Sequence, residues 1–139
     1  TWQAVNKMYN EEALKFDSTM ATGFTLLSID PEEGTPSTAL GPKMGMEATS
    51  LSRILKTMEE RGLIERKPNP DDGRGVLIHL TDFGREKREY SRERVLTFNN
   101  AIRDNISEEK LKHFYEVTEV INEMISNKKI YNHKEDILK

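Results

Sequence analysis

Six side chains between residues 47 and 61 carry hydroxyl or cationic groups: Thr49, Ser50, Ser52, Arg53, Lys56 and Thr57. Leu51, Ile54, Leu55 and Met58 recur among them at three- and four-residue steps, so they share one face of a helix and point into a core. The hydroxyl and cationic residues lie on or near the opposite face. A hydroxyl donates and accepts, a guanidinium offers a planar fork of donors, and an ammonium pairs with phosphate. A helix presenting such groups fits a DNA major groove, where they reach base edges. Arg53 is the strongest candidate. For Thr49, Ser50, Ser52, Lys56 and Thr57 taken singly, an ordinary solvated helix face explains the residue types equally well. Gly62 ends the pattern, because the left-handed conformation past a helix end is least costly for glycine.

The segment after this helix extends the same chemistry. Leu63–Lys67 and Val76–Leu80 read as short strands, and residues 68–75 between them form a loop dense in turn residues. A hairpin with Arg74 near its tip suits insertion of that guanidinium into an adjacent minor groove, where the potential is most negative when the groove is narrow. Asp72 is expected to orient the tip by accepting hydrogen bonds from Arg74 or from turn amides. Gly75 answers a backbone requirement of the hairpin, and the Gly-x-Gly of 73–75 is read as a turn. Arg66 and Lys67 face phosphates or serve strand-edge solubility. Upstream, Ser37 and Thr38 contact phosphate or cap the helix that Pro36 begins, two compatible roles.

Leu51-Ser52-Arg53, Glu60-Arg61-Gly62-Leu63-Ile64-Glu65-Arg66, Asp72-Gly73-Arg74-Gly75 and Leu80-Thr81-Asp82-Phe83-Gly84 together resemble the signature of the MarR (multiple antibiotic resistance regulator) family. The resemblance covers the central third of the chain strongly, and the flanking helical segments fit the remaining layout. Gly73 departs from the pattern, standing where the family often has another basic residue. The resemblance implies a mainly α (α+β) fold in a single domain over 1–139. Dimerisation helices would occupy 1–29 and 107–139, a winged helix-turn-helix 35–81, and a long linker helix 82–106.

Composition bounds the alternatives. One domain of modest core fits 139 residues, and 32% of them are charged. No apolar run approaches the ~20 residues of a membrane span and no secretory pattern opens the chain, so a cytoplasmic location without membrane attachment is expected. Thr1 is a poor natural start, and the first helix is expected to be longer in the full gene product. Cysteine is absent, which excludes disulfides, cysteine zinc sites and thiol-based peroxide sensing. The net charge of −3 argues against an indiscriminate nucleic-acid binder. Residues 43–94 are the one positive third, with twelve Lys and Arg against ten acids. His79, His113 and His133 lack metal-ligand spacing, and no acid–base pair, nucleophile elbow, phosphate loop or dinucleotide fingerprint appears. No enzyme activity, metal or cofactor is expected.

Along the chain, residues 2–16 read as a helix with Trp2, Val5, Tyr9 and Phe16 on one side. A second runs from Ser18 to Ser28 on Met20, Phe24 and Leu27, capped by Asp17 or Ser18. Gly41-Pro42 makes the third helix short or distorted, held by Leu40 and Met44. A long helix from Asp82 carries Val95, Phe98, Ile102 and Ile106, and Ser107 caps another through Ile125. The apolar content of that last helix exceeds one narrow stripe, which suits an intermolecular contact. Ile137 and Leu138 pack on a partner or fray. Tyr9, Phe16, Met20 and Phe24, with Trp2, Tyr90, Phe98 and the methionines, are candidates to line a pocket between the first, second and fifth helices, although core packing explains them too. The resemblance implies a small aromatic or lipophilic effector there. It also implies a homodimeric, sequence-specific, effector-responsive repressor on double-stranded DNA with a pseudo-palindromic operator. The alternative is a winged-helix module that binds protein and not DNA.

Overall fold

The computed structural model describes residues 1–128, 130 and 131; His133, Ile137 and Leu138 lie outside them. In order, the elements are α1 (Trp2–Leu14), α2 (Met20–Ser28), β1 (Thr35–Pro36), α3 (Ser37–Met44), α4 (Ala48–Glu60), β2 (Ile64–Asn69), β3 (Asp72–Leu80), α5 (Asp82–Asn105) and α6 (Glu108–Ser126). The strands form one antiparallel sheet in the order β1-β3-β2, so the fold is mainly α with a small sheet, as the patterning implies. The chain divides within α5 into two compact units, residues 1–96 and residues 97–139.

The core of the first unit is built around α4. Leu51, Leu55 and Met58 are buried at helical spacing, with Ile54 partly so. Leu26 and Ile29 join them, as do Leu40 and Met44 of α3, Leu63 and Ile64, and Ile78 and Leu80 of β3. Each buried Leu or Ile contributes about 1.5–3 kcal/mol of transfer free energy. Pro42 lies inside α3, which is only eight residues long and is stopped by Gly45 in the left-handed region at φ 63°. Met46 N–H then donates to the Gly41 carbonyl at 2.9 Å, turning the chain into α4.

Three local expectations are corrected. First, α1 ends at Leu14 and α2 starts at Met20, two residues short of the expected bounds at each side. Asp17 adopts φ 52° and donates to the Leu14 carbonyl, while Ser18 N–H donates to Ala13, so both residues are used in ending α1. The cap of α2 is instead Thr19, whose Oγ1 accepts from Thr22 N–H at 3.1 Å. Second, the core face of α2 is Thr22, Thr25, Leu26 and Ser28, not Met20, Phe24 and Leu27. The buried hydroxyls of Thr25 and Ser28 donate to the carbonyls of Ala21 and Phe24, both at 2.8 Å, which removes the penalty of burying them. Third, the loop over 68–75 is mostly strand. Only Pro70 and Asp71 form the turn, and Gly73–Gly75 belong to β3, where the register shifts from Pro68↔Val76 to Asn69↔Asp72. Side-chain acceptance makes so short a turn possible, since Asn69 Oδ1 takes the Asp71 amide at 3.0 Å.

The end of α4 is fixed twice. Gly62, at φ 74°, donates to Glu59 O, and Leu63 N–H reaches back to Met58 O at 2.9 Å, the paired bonds of a Schellman motif. Thr81 then ties that motif to α5. Its hydroxyl donates to Gly62 O at 2.6 Å and accepts from Gly84 N–H at 3.0 Å, and its own amide donates to Leu63 O at 3.1 Å. Gly84 is buried, and a Cβ there would stand 1.9 Å from the Leu63 carbonyl oxygen.

In the second unit, Ser107 caps α6 by accepting from Lys110 N–H, with Glu108 and Glu109 in the first turn, as expected. No residue of α6 is buried.

Backbone cannot yield as a flexible side chain does, so Gly84→Ala is expected to lower unfolding free energy by about 2–4 kcal/mol in urea denaturation. Gly73→Ala, whose Cβ meets nothing within 4 Å, is the matched control and should stay within about 0.5 kcal/mol. Thr81→Val, which keeps the shape and removes the hydroxyl, should cost about 1–2 kcal/mol.

Candidate nucleic-acid interface

With Leu51, Leu55 and Met58 turned inward, the 3.6-residue period leaves Thr49, Ser50, Ser52, Arg53, Lys56 and Thr57 outward, and all six are exposed. Thr57 Oγ1 donates to Arg53 O at 3.1 Å and is thereby partly engaged in its own helix. Ser37 is half-buried and Thr38 exposed in the first turn of α3, whose N-cap is Pro36 without any side-chain cap bond. Of the two roles open for Ser37 and Thr38, the cap is therefore not the one adopted.

The cations of residues 35–81 divide sharply. Arg66 Nε pairs with Glu59 at 3.0 Å, Lys67 with Glu65 at 2.9 Å, and Arg61 with Asp17 at 3.8 Å. The Lys67 ammonium, hydrogen-bonded to Glu65, holds that carboxyl below its ordinary pKa, with Lys67's charge, His79 and Arg85 adding to the effect. Lys43 donates to the Ser28 carbonyl at 2.7 Å. That leaves Arg53, Lys56 and Arg74 without a carboxylate within ion-pair distance among the described residues. Arg66 and Lys67, for which solubility and phosphate contact were both open, are neutralised on the strand edge.

At the wing, Arg74 is exposed at the register shift of β3. Its amide donates to Asp72 Oδ1 at 3.1 Å, so Asp72 shapes the backbone that carries the arginine. A Cβ at Gly75 would come within 3.1 Å of Asp72 Oδ2 and 3.3 Å of Asn69, which accounts for a glycine there. His79 lies in the central strand and packs against Gly34, whose Cβ position would be 2.7 Å from the imidazole. No group of three or more His, Cys, Asp or Glu residues able to hold a metal occurs among the described residues. No helix among them is long and apolar enough to cross a membrane.

A second feature of the first unit is a cavity of about 310 Å³ between α1, α2 and α5. Tyr9, Phe16, Met20 and Phe24 all line it, with Trp2, Leu27 and Tyr90. This is why the Met20–Phe24–Leu27 face of α2 is absent from the core. Phe98 and the other methionines do not line it. Burial pushes the Tyr9 phenol above its ordinary pKa, so it is neutral at physiological pH. Three charged residues of the wall escaped the sequence: Glu12, Lys87 and Arg94. The signal for the last two was available, since 87, 90, 91 and 94 share a helical face with Tyr90.

Residues 19–76 match the model of the MarR family. An uncharacterised HTH-type transcriptional regulator of Bacillus subtilis, YdgJ, is 31% identical over 88 residues, covering 63% of this chain and 54% of that protein. The chain thus spans about half the length of the curated relatives it matches. Among solved structures, a MarR family transcription regulator superposes with a TM-score of 0.80 at 21% identity, over 91% of this chain and 83% of the other. A cysteine-to-serine variant of MarR from E. coli, in complex with operator DNA, gives 0.74 at 25% identity, over 86% of each chain. The matched segment and, among the described residues, the six helices and the three-stranded sheet agree on a MarR-like winged-helix fold.

Proposed function

We propose that this protein is a sequence-specific DNA-binding transcriptional regulator that acts as a homodimeric repressor. The observation that carries this is electrostatic. In a chain of net charge −3, Arg53, Lys56 and Arg74 have no acidic partner among the described residues, on the helix and wing that a major and a minor groove would receive. Thr49, Ser50, Ser52 and Thr57 flank Arg53 as hydrogen-bonding groups for base edges and phosphates, and Ser37 and Thr38 add phosphate contacts from α3. Asp72 orients the wing through the Arg74 amide. The E. coli relative bound to operator DNA supports the same assignment.

The dimer rests on α6. Phe114, Tyr115, Val117, Val120, Ile121, Met124 and Ile125 are 43–64% exposed, an apolar surface that a solitary chain would leave in water. Two-fold pairing then sets the operator: a pseudo-palindrome with half-sites about 10 bp apart. The cavity lined by Tyr9, Phe16, Met20 and Phe24 receives a small aromatic or lipophilic effector. Such a ligand regulates only if it binds one spacing of the recognition helices better than the other.

Selection of random duplex DNA against the protein should return a two-fold symmetric motif. On that motif, Arg53→Ala and Arg74→Ala should each weaken binding by about 1–3 kcal/mol, and Arg66→Ala, whose charge is already paired, by markedly less. Affinity should fall steeply between about 50 and 200 mM salt. Recovery of no motif, with all three variants equal to wild type, would instead favour a winged-helix module that binds protein.

Light scattering should report twice the 16.1 kDa chain mass. A Val120→Asp, Ile121→Asp double variant should give the monomer, and a wild-type monomer at micromolar concentration would sink the dimer assignment.

A further inference from the structure

The leading end of α4 carries a residue that its position does not call for. Glu47 is the N-cap of α4, where Asn, Asp, Ser and Thr are favoured because a short oxygen-bearing side chain reaches the amides of the first turn. The Glu47 side chain makes no such bond. The helix dipole favours a negative charge here, but an aspartate would answer it equally and cap as well. Glu47 is exposed and forms no ion pair among the described residues. The other acids of residues 35–81 are placed elsewhere. Glu59 and Glu65 pair with Arg66 and Lys67, and Asp72 holds the Arg74 amide. Glu60 ends α4, and Asp71 lies in the turn of the wing.

The turn before α4 sets the direction of this carboxylate. Gly45 is left-handed, and Met46 N–H donates to the Gly41 carbonyl at 2.9 Å. A Cβ at Gly41 would stand 3.1 Å from the Met46 carbonyl oxygen, so α3 and the turn are in close backbone contact. The Met46 side chain packs against the core. Glu47 follows in extended backbone, at φ −63° and ψ 143°, where successive side chains point to opposite sides. With Met46 turned inward, Glu47 is turned outward, at the end of a recognition helix whose first residues meet base edges.

DNA offers such a group a narrow choice. Phosphates repel it. In the major groove guanine O6 and N7 and thymine O4 are acceptors and repel it too. Adenine sets its N6 donor beside the N7 acceptor, whereas cytosine offers the N4 donor with no acceptor next to it. We propose that Glu47 is a specificity-determining residue that accepts from the N4 amino group of one cytosine in each half-site. The inference rests on α4 being the recognition helix, and it adds rejection to the attraction supplied by Arg53 and its neighbours. A carboxylate that meets no cytosine is left against acceptors and phosphates, so sequences without that base are disfavoured.

Selection of random duplex DNA with the wild type, Glu47→Gln and Glu47→Ala tests this, with equal thermal unfolding showing that the variants are folded. The wild type should require cytosine at one position of each half-site. Glu47→Gln should move that preference to adenine, whose N6 and N7 suit an amide, and Glu47→Ala should lose it. In titrations on the selected motif, changing that cytosine to thymine should weaken the wild type at least about tenfold and Glu47→Ala by less than about twofold. A residue that only supports the helix would weaken both duplexes alike and leave the motif unchanged. If the wild-type motif requires no cytosine, or the variants select the same motif, or they bind every sequence more tightly by one factor, the base-reading role is overturned while the regulator reading stands. If the wild type returns no motif and Arg53→Ala changes nothing, that reading falls and this proposal with it.

Discussion

Thr81 and Gly84 hold the winged helix together at one place. The Thr81 hydroxyl and amide take the carbonyls of Gly62 and Leu63, which have just closed α4, and the same hydroxyl caps α5 through Gly84. The close approach of Gly84 to Leu63 O leaves no room for a side chain. Three elements therefore meet within a few residues: the end of α4, the start of β2 and the start of α5. The direction in which α4 presents Arg53 and Lys56, and the direction in which the hairpin presents Arg74, are both set from that junction. The proposed entry of helix and wing into neighbouring grooves would need such a fixed angle, because base contacts tolerate little misalignment.

The second principle is the disposal of charge. A basic domain can bind nucleic acid through its overall field, but this chain is acidic and cannot. It neutralises the cations that lie off the proposed contact surface, Arg61, Arg66 and Lys67, with Asp17, Glu59 and Glu65. Exposed pairs of this kind add little stability, typically well under about 1 kcal/mol. Within residues 47–81 this leaves, among the described residues, unpaired positive charge on α4 and the wing alone, a distribution that suits the proposed register on DNA rather than indiscriminate attraction.

How legible each element is in the sequence depends on how many faces it has. The period of α4 has one apolar side and one polar side, so its core residues, its outward set and its terminating Gly62 were all legible. In α2 the residues at 20, 24 and 27 and those at 22, 25, 26 and 29 both make helical stripes. The larger apolar residues suggested the core, yet they line the cavity, while hydroxyls satisfied by backbone carbonyls fill the core side. Side-chain periodicity carries no information about which of two stripes meets a cavity. The wing misled for another reason: seven turn-forming residues in a stretch of eight suggested a loop, but Asn69 and Asp72 use their side chains to satisfy amides and let the strands continue. Glu12 and Arg94 look like ordinary surface charges until α1 and α5 are brought together.

The segment between α1 and α2 joins the two features of the first unit. Phe16, Ser18 and Thr19 line the cavity, whereas Asp17 between them turns outward in the left-handed conformation, in the position of a Schellman motif where glycine is usual. An aspartate there costs more than glycine, and a contact offsets the difference: the Asp17 carbonyl and carboxylate both face Arg61, the C-cap residue of α4. Cavity wall and recognition-helix anchor are thus consecutive residues of one short loop. Coupling between two sites requires a physical element that both of them bias, and distance alone does not supply one. Residues 16–19 touch both features, with Phe16 on the cavity wall and Asp17 on Arg61 of α4.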